Sequence, residues 1–182
     1  DREGTKAMAV VARTYGLFAS AKFGGAYDQA DGTASQVYEG VEAVTDRSRS
    51  AAAATAGEVL TYNGTLIQSV YFSSSGGHTA NNEDVWKAED ALPYLRGVED
   101  PYDDVSPHHT WSASVNRPAL LQTLTKERGT LVEGFTIKER APHGRVTKVN
   151  VLQSSGTHVM KANTFRLLVN RGVDGAPLKS TW

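Results

Sequence analysis

Apolar residues near the start of the chain recur every three or four positions, which is the spacing of one helix face. The members of this series are Ala7, Val10, Val11, Tyr15, Phe18 and Ala19. The pattern predicts a first helix over residues 3–22. Lys6 and Arg13 lie seven positions apart on it, so both cations are expected near one face. Arg13 either lies on a solvated outer face or packs inside and needs a carboxylate or carbonyl partner.

Two further patterns follow in the first half of the chain. Residues 41–55 predict a second helix that ends in an alanine run. Residues 59–62 and 65–72 predict two strands. They are joined by Asn63-Gly64, the dipeptide that best fits a tight type I′ hairpin turn.

The second half of the chain is richer in strand patterns. Its predicted elements are a helix over 118–127, strands over 131–139, 146–153 and 157–161, and a final helix over 164–170. Pro118 suits a first helical turn, Gly129 a helix end and Asn163 a helix cap. No βαβ alternation is present, so the predicted fold class is α+β. We expect N-terminal helices packed on antiparallel strands, a strand-rich C-terminal half and a groove between two lobes.

Composition narrows the classes of function. The chain has 182 residues, a formal net charge of −1 and no cysteine. Near-neutral charge predicts no nucleic-acid partner, and no apolar run is long enough for membrane insertion. Without cysteine there is no disulfide or cysteine-bound zinc. His108-His109 beside Asp103-Asp104 raises the question of a metal, but the spacing favours hydrogen bonding within a loop.

A polar stretch over residues 71–86, YFSSSGGHTANNEDVW, follows the predicted hairpin. Polar loops lie on the surface and often carry function, and paired glycines let the backbone approach a ligand closely. The plainer alternative is a flexible exit from the hairpin. The candidate substrate-binding residues are Tyr15, Ser74, Ser75, Gly76, Gly77, His78, Thr79 and Trp86. Tyr15 and Trp86 would offer stacking faces to a ligand, although aromatic side chains are more often buried in a core.

Several segments in order resemble the SpoIID/LytB family, the stage II sporulation protein D family. They are KAMAVVARTY over 6–15, QVYEG over 36–40, ATAGEVLTYNG over 54–64 and SGGHT over 75–79. Shorter matches follow in the same order: PYL over 93–95, Trp111, GRV over 144–146, FR over 165–166 and LKST over 178–181. The resemblance spans residues 1–182, which we interpret as one SpoIID-like domain cut from a longer protein at both ends.

The resemblance implies action on the bacterial cell wall, because sporulation members of the family are lytic transglycosylases that cleave peptidoglycan glycan strands. One carboxylic acid protonates the glycosidic oxygen and then acts as base while an anhydro-muramyl ring closes. By this resemblance Arg13, supported by Lys6, would lie near the scissile bond. We expect an extracytoplasmic protein, exported by a segment outside this chain.

The chain departs from the family pattern at two places. The family's catalytic glutamate falls about three helical turns before the lysine that matches Lys6, hence upstream of Asp1. This polypeptide is therefore expected to be weakly active or inactive. Glu83 and Asp84 are only weak substitutes, and one of them more readily caps a helix starting near Trp86. Residues 28–35 lack the cysteine and histidine with which some relatives bind zinc, so no metal or other cofactor is expected.

Two further hypotheses compete with glycan cleavage. The first is a non-catalytic peptidoglycan-binding module that enhances a separate cell-wall amidase, as other members of the family were described to do. The second is a purely structural interaction domain, which would bind no saccharide and tolerate changes at Arg13 or His78.

Overall fold

The computed structural model describes residues 1–20, 24–25, 27–32, 34–86 and 90–172. They form two compact units, an N-terminal unit, Asp1–Phe72, and a C-terminal unit, Ser73–Trp182. Both contain helices and antiparallel strands, which confirms the predicted α+β class. Residues 21–22 of the first predicted helix and the LKST motif over 178–181 lie outside the described residues.

Helix α1 spans Arg2–Phe18 and begins at a well-formed cap, because Asp1 Oδ1 accepts the backbone N–H of Glu3 at 3.0 Å. It ends earlier than predicted, with Ala19 outside it. Thr14 is fully buried on this helix; its hydroxyl donates to the Val10 carbonyl at 2.7 Å and accepts the Leu60 N–H at 3.0 Å. A helix residue thereby fixes the start of the hairpin.

The prediction of one helix over 41–55 is wrong at its start. A single 3₁₀ turn, Val41–Ala43, is followed by extended backbone at Val44, and helix α2 then spans Asp46–Ala54. Thr45 and Ser48 form a capping box, with the Thr45 hydroxyl accepting the Ser48 N–H at 3.1 Å and Ser48 Oγ accepting the Thr45 N–H at 3.0 Å. A cap residue needs extended backbone, so the helix cannot continue through it.

The hairpin has the predicted turn but shorter strands. Strand β1 is Thr61–Tyr62 and strand β2 is Thr65–Leu66, paired antiparallel. Asn63 and Gly64 both have positive φ, 50° and 78°, as a type I′ turn requires. The predicted strand over 65–72 is cut short.

The C-terminal unit is built on a three-stranded antiparallel sheet of order β3-β4-β5. Strand β3 is Val132–Arg140, β4 is Val146–Gln153 and β5 is Gly156–Lys161. The predicted hairpin between the last two strands is confirmed. Helix α3, Asn82–Val85, precedes the sheet in the chain.

Two longer helices pack with the sheet around one core. Helix α4 is Arg117–Arg128 and is capped by Asn116. Pro118 lies in its first turn and Gly129 closes it in the left-handed conformation, so both predicted positions are confirmed. Helix α5 is Ala162–Gly172. The buried core residues are Leu120, Leu124, Val132, Val146, Val149, Val151, Met160, Ala162, Phe165, Leu168 and Val169.

The predicted cap at Asn163 is wrong, because α5 starts at Ala162 directly after β5. Asn163 lies in the first turn, where its amide donates to the Val85 carbonyl at 3.0 Å and its oxygen accepts from Arg166 Nε at 3.0 Å. The side chain therefore ties α5 to the end of α3. None of the described helices is long and apolar enough to cross a membrane.

Candidate functional site

The loop over residues 74–79 is organised around one buried carboxylate. The side chain of Asp103 is 7% exposed and belongs to a short 3₁₀ turn, Asp103–Val105. Its Oδ1 accepts the Ser75 N–H, and its Oδ2 accepts the Gly76 N–H and the Ser74 hydroxyl, each at 2.8 Å. These bonds hold the paired-glycine turn in one shape.

His109 completes the set of donors around Asp103, with 3.0 Å between His109 Nδ1 and Asp103 Oδ2. Burial alone would raise the pKa of Asp103, but the hydrogen bonds from Ser75, Ser74, His109 and Gly76 outweigh it and hold that pKa well below its usual range. The loop-bonding interpretation of the histidine and aspartate cluster is confirmed for this pair. In the described part of the chain, no three His, Asp or Glu side chains are grouped to hold a metal ion.

Ser75 and Arg145 fix the loop from within. Ser75 is buried; its hydroxyl donates to Asp100 Oδ2 at 2.9 Å and accepts the Gly77 N–H at 3.1 Å. Arg145 Nη2 donates to the carbonyls of Ser75 and His78 at 2.6 and 2.9 Å. The hydroxyls of Ser74 and Ser75 therefore both donate to carboxylates of the protein itself, Asp103 and Asp100.

His78 lies at the end of the loop, where it bridges to Glu99 in antiparallel fashion. Its Nδ1 lies 2.6 Å from the Thr79 carbonyl, and its ring stacks on that of His143 with centroids 3.8 Å apart and planes 5° apart. Gly97 lies directly against this pair, because a Cβ there would come within 2.8 Å of the Thr79 carbonyl and 3.2 Å of His78 Cε1. A side chain at Gly97 would displace the backbone.

An open cleft of about 640 Å³ lies beside this loop in the C-terminal unit. Its apolar lining includes Trp111, Val115, Leu120, Phe135 and Phe165. Its polar lining includes Gly76, His78, His109, His143 and Arg145. A cleft of this size with an aromatic wall and a few convergent polar groups is typical of small-ligand sites.

Glu83 and Trp86 lie on or next to α3 rather than in this cleft. Helix α3 ends at Val85, and the Trp86 N–H donates to the Asn82 carbonyl. Residues 87–89, over which the predicted helix starting near Trp86 would run, lie outside the described residues. Glu83 forms a bidentate ion pair with Arg96. The hydrogen bond from Arg96 lowers the pKa of Glu83 to about 2, which is the opposite of what a proton donor at neutral pH needs.

We predict that Glu83→Gln changes acid stability. Because the pKa of Glu83 is lowered in the folded state, its contribution is complete above the ordinary value of 4.5 and is lost as pH falls towards about 2. Urea denaturation at several pH values should therefore show the wild type losing its advantage over Glu83→Gln across this range. Glu133→Gln, an exposed carboxyl on β3, is the control. A gap between wild type and Glu83→Gln that is independent of pH would contradict the ion-pair role.

The predicted site residues of the N-terminal unit have separate surroundings. The Arg13 guanidinium donates to the carbonyls of Thr55 and Glu58 at 2.7 and 2.8 Å, and also contacts the Ala52 carbonyl and the Thr55 hydroxyl. Arg13 therefore has the carbonyl partners expected of a packed arginine.

Lys6 instead forms an exposed ion pair with Glu3 at 2.8 Å. It lines a polar cleft of about 530 Å³ beside α2, of which Arg13 is not part. Tyr15 is partly buried on α1.

Of the predicted loop residues, Gly76 and His78 line the cleft of the C-terminal unit directly. Sequence reasoning did not identify His143 and Arg145 as its partners, and it treated His109 only as a loop residue. Arg145 was visible as part of the GRV motif, but nothing local links it to Ser75, which lies 70 positions earlier in the chain.

Comparison with known proteins agrees with the sequence resemblance. Residues 1–62 match the profile of the SpoIID family, described as Stage II sporulation protein. The chain is 36% identical over 118 residues to the "Amidase enhancer" of Bacillus subtilis (strain 168), an alignment that covers 65% of this chain and 15% of that protein. It is 35% identical over 100 residues to "Stage II sporulation protein D" of the same organism, covering 54% of this chain and 29% of that protein.

A third similar protein is "Stage II sporulation protein D" of Bacillus amyloliquefaciens, 38% identical over 74 residues, which covers 41% of this chain and 21% of that protein. These matches confirm the resemblance to the SpoIID family. The aligned part of this chain spans 15 to 29% of the length of these relatives.

Proposed function

We propose that this chain is a peptidoglycan-binding part of a protein that processes the bacterial cell wall outside the cytoplasm. The observation that carries the proposal is the cleft of the C-terminal unit, with a rigid loop held by Asp103 on one side and an aromatic wall on the other. Aromatic faces stack on sugar rings, and fixed polar groups meet hydroxyl and N-acetyl groups. The names of the similar proteins, one an amidase enhancer and two sporulation proteins, support a role in the wall.

We further propose that the parent protein cleaves glycan strands as a lytic transglycosylase. That reaction needs a carboxylic acid that stays protonated near neutral pH, so its pKa must be raised. The perturbed carboxyls in the described residues, Glu83, Asp103 and Glu139, all have lowered pKa values, each through the hydrogen bonds it accepts. The acid is therefore sought at the position that the family resemblance gives, upstream of Asp1.

In this proposal Arg13 has a supporting role. Its bonds to the end of α2 hold α1 in place, and α1 is the helix nearest in the chain to the position that the family resemblance gives for the acid. Lys6, paired with Glu3 at the surface, is available to a substrate anion at the cost of one exposed ion pair.

The second candidate function is enhancement of a cell-wall amidase without glycan cleavage. The observation that favours it is the 36% identity to a protein of that name. Both candidates share glycan binding, so cleavage is what separates them.

Digestion of purified glycan strands tests the proposal. Two polypeptides are compared: this chain, and the same chain extended by about twenty residues of the parent at its N-terminus, roughly 30 Å if helical. We expect both to retain glycan strands in a pull-down and only the extended one to release products with anhydro-muramyl ends, measured by mass.

A separate wall amidase is assayed with and without each polypeptide in parallel. Retention of glycan and a faster amidase, without anhydro-muramyl ends from either polypeptide, would favour the enhancer. Failure of both polypeptides to retain glycan would overturn the proposal.

A further inference from the structure

We propose that His109 is the general base of a further activity of the C-terminal unit, the hydrolysis of small carboxylic esters by a water molecule in its cleft. The proposal goes beyond peptidoglycan binding and does not depend on it. His109 Nδ1 lies 3.0 Å from Oδ2 of the buried Asp103, on the wall of the open cleft. A carboxylate at one ring nitrogen orients an imidazole and leaves the other nitrogen to act as a base.

The bond to Asp103 determines which nitrogen of His109 is available. Burial would raise the pKa of Asp103, but the hydrogen bonds that it accepts lower this pKa, so the carboxyl is ionised at neutral pH. An ionised carboxylate only accepts, so Nδ1 carries the hydrogen and Nε2 of the neutral ring has a free lone pair. No described residue forms a hydrogen bond to Nε2, and 35% of the His109 side chain is exposed. Nε2 can therefore take a proton from a water molecule in the cleft.

Arg145 places a positive charge on the same cleft. Its Nη2 donates to the carbonyls of Ser75 and His78, in the loop that Asp103 also holds, so the base and the cation are anchored to one loop. No described carboxylate forms an ion pair with Arg145, and no Asp or Glu is among the described residues that line the cleft. A carbonyl oxygen that becomes negatively charged in this cleft is therefore stabilised.

The apolar side of the cleft suits the acyl part of an ester. Trp111, Val115 and Phe135 belong to this side, and the cleft volume is about 640 Å³. Clefts of this kind bind small ligands through apolar contacts and a few fixed polar groups. An uncharged ester with a short acyl chain matches both sides of the lining.

The reaction is balanced by water alone. A water oxygen forms a bond to the carbonyl carbon while Nε2 of His109 takes a proton from that water, and the carbonyl electron pair moves to the carbonyl oxygen. When that pair returns, the bond from the carbon to the alcohol oxygen breaks, and the imidazolium gives its proton to the leaving alkoxide. A carboxylic acid and an alcohol are released, and His109 returns to its neutral form.

Release of 4-nitrophenol from 4-nitrophenyl acetate and butyrate by the whole chain tests the proposal. We expect saturable hydrolysis, with a lower KM for the butyrate because its longer chain contacts the apolar wall. His109→Gln should lower kcat/KM roughly hundredfold, since its amide can still donate to Asp103 but cannot act as a base. His108→Gln, at the exposed neighbouring histidine, should retain full activity.

Two further measurements separate a chemical role from a structural one. Imidazole added to His109→Gly should restore hydrolysis to more than the rate of imidazole alone, whereas in His108→Gly it should add only that rate. Asp103→Asn, assayed at a temperature at which it is folded, should lower kcat rather than raise KM. The reason is that an amide can donate to Nδ1 and so leave the hydrogen on Nε2.

Hydrolysis no faster than that by free imidazole at the same concentration, or equal losses in His109→Gln and His108→Gln, would overturn the proposal. Loss of hydrolysis in His109→Gln without rescue of a folded His109→Gly would give His109 a structural role only, which also overturns it. Retention of glycan strands is measured separately and bears only on the proposed function.

Discussion

Arg13→Ala is expected to destabilise the N-terminal unit by about 2–4 kcal/mol, since hydrogen bonds to a charged group contribute roughly 1.5–3 kcal/mol and several are lost together. The guanidinium donates to the carbonyls of Ala52, Thr55 and Glu58 at and after the end of α2, and its positive charge interacts favourably with the negative end of the helix dipole. Without it, α1 and α2 lose their main polar connection.

Urea denaturation followed by circular dichroism measures the loss, and hydrogen exchange of the α1 and α2 amides assigns it to this unit. The latter is needed because all three tryptophans lie in the C-terminal unit and do not report on it. Arg13→Lys should recover only part of the stability, because an ammonium cannot span several carbonyls as a planar guanidinium does. Arg49→Ala, an exposed arginine of α2, is the matched control. If Arg13→Ala left the midpoint of urea denaturation unchanged, Arg13 would not stabilise the fold and could act only in binding.

Asp103→Asn is expected to lower the melting temperature by roughly 5–10 °C and to weaken glycan binding at least about fivefold. The carboxylate accepts from two backbone N–H groups, one hydroxyl and one imidazole. An amide presents one oxygen and one donor group, so donors now held by Asp103 would face another donor in a buried place. The loop and the orientation of His109 would both be lost.

The pH dependence gives this prediction a second readout. Because the pKa of Asp103 is lowered in the folded state, its contribution is fully present above the ordinary value of 3.8 and is lost as pH falls below it. The difference in melting temperature between wild type and Asp103→Asn should therefore narrow below about pH 4. Asp104→Asn, the exposed neighbouring carboxyl, serves as the control. Equal losses for both variants would mean that Asp103 is not the anchor of the loop.

Local signals in the sequence predicted much of the fold. Asn63-Gly64 specified the hairpin turn because few residues tolerate two successive positive φ angles. The ends of α4 were predicted because Pro118 favours the first turn of a helix and Gly129 favours the residue that follows its last turn. The boundary errors have local causes too. Thr45 caps a helix that apolar spacing alone would have continued, and Asn163 bonds to Val85 rather than capping α5.

The candidate site was predicted only in part. The polar loop was predicted because a run of serine and glycine has no apolar side chains to bury, unlike the hydrophobic patterns of the neighbouring helices and strands. Its support was not found, because Asp103, His109, His143 and Arg145 reach it from positions that are about 25 to 70 residues further along the chain. No periodicity or turn rule relates such positions.

By itself, the sequence determined the α+β class, the hairpin turn, the ends of α4, the family resemblance and the need of a packed Arg13 for carbonyl or carboxylate partners. These follow from chemistry within a few residues, where backbone geometry limits the choices. Only the tertiary structure decided which carbonyls Arg13 meets, that Glu83 is held ionised by Arg96, and that the serine hydroxyls bond inward while three histidines line the cleft. The role of a polar side chain depends on how deeply it is buried and on which charged groups lie next to it. Both are set by the packing of segments that are distant in the sequence.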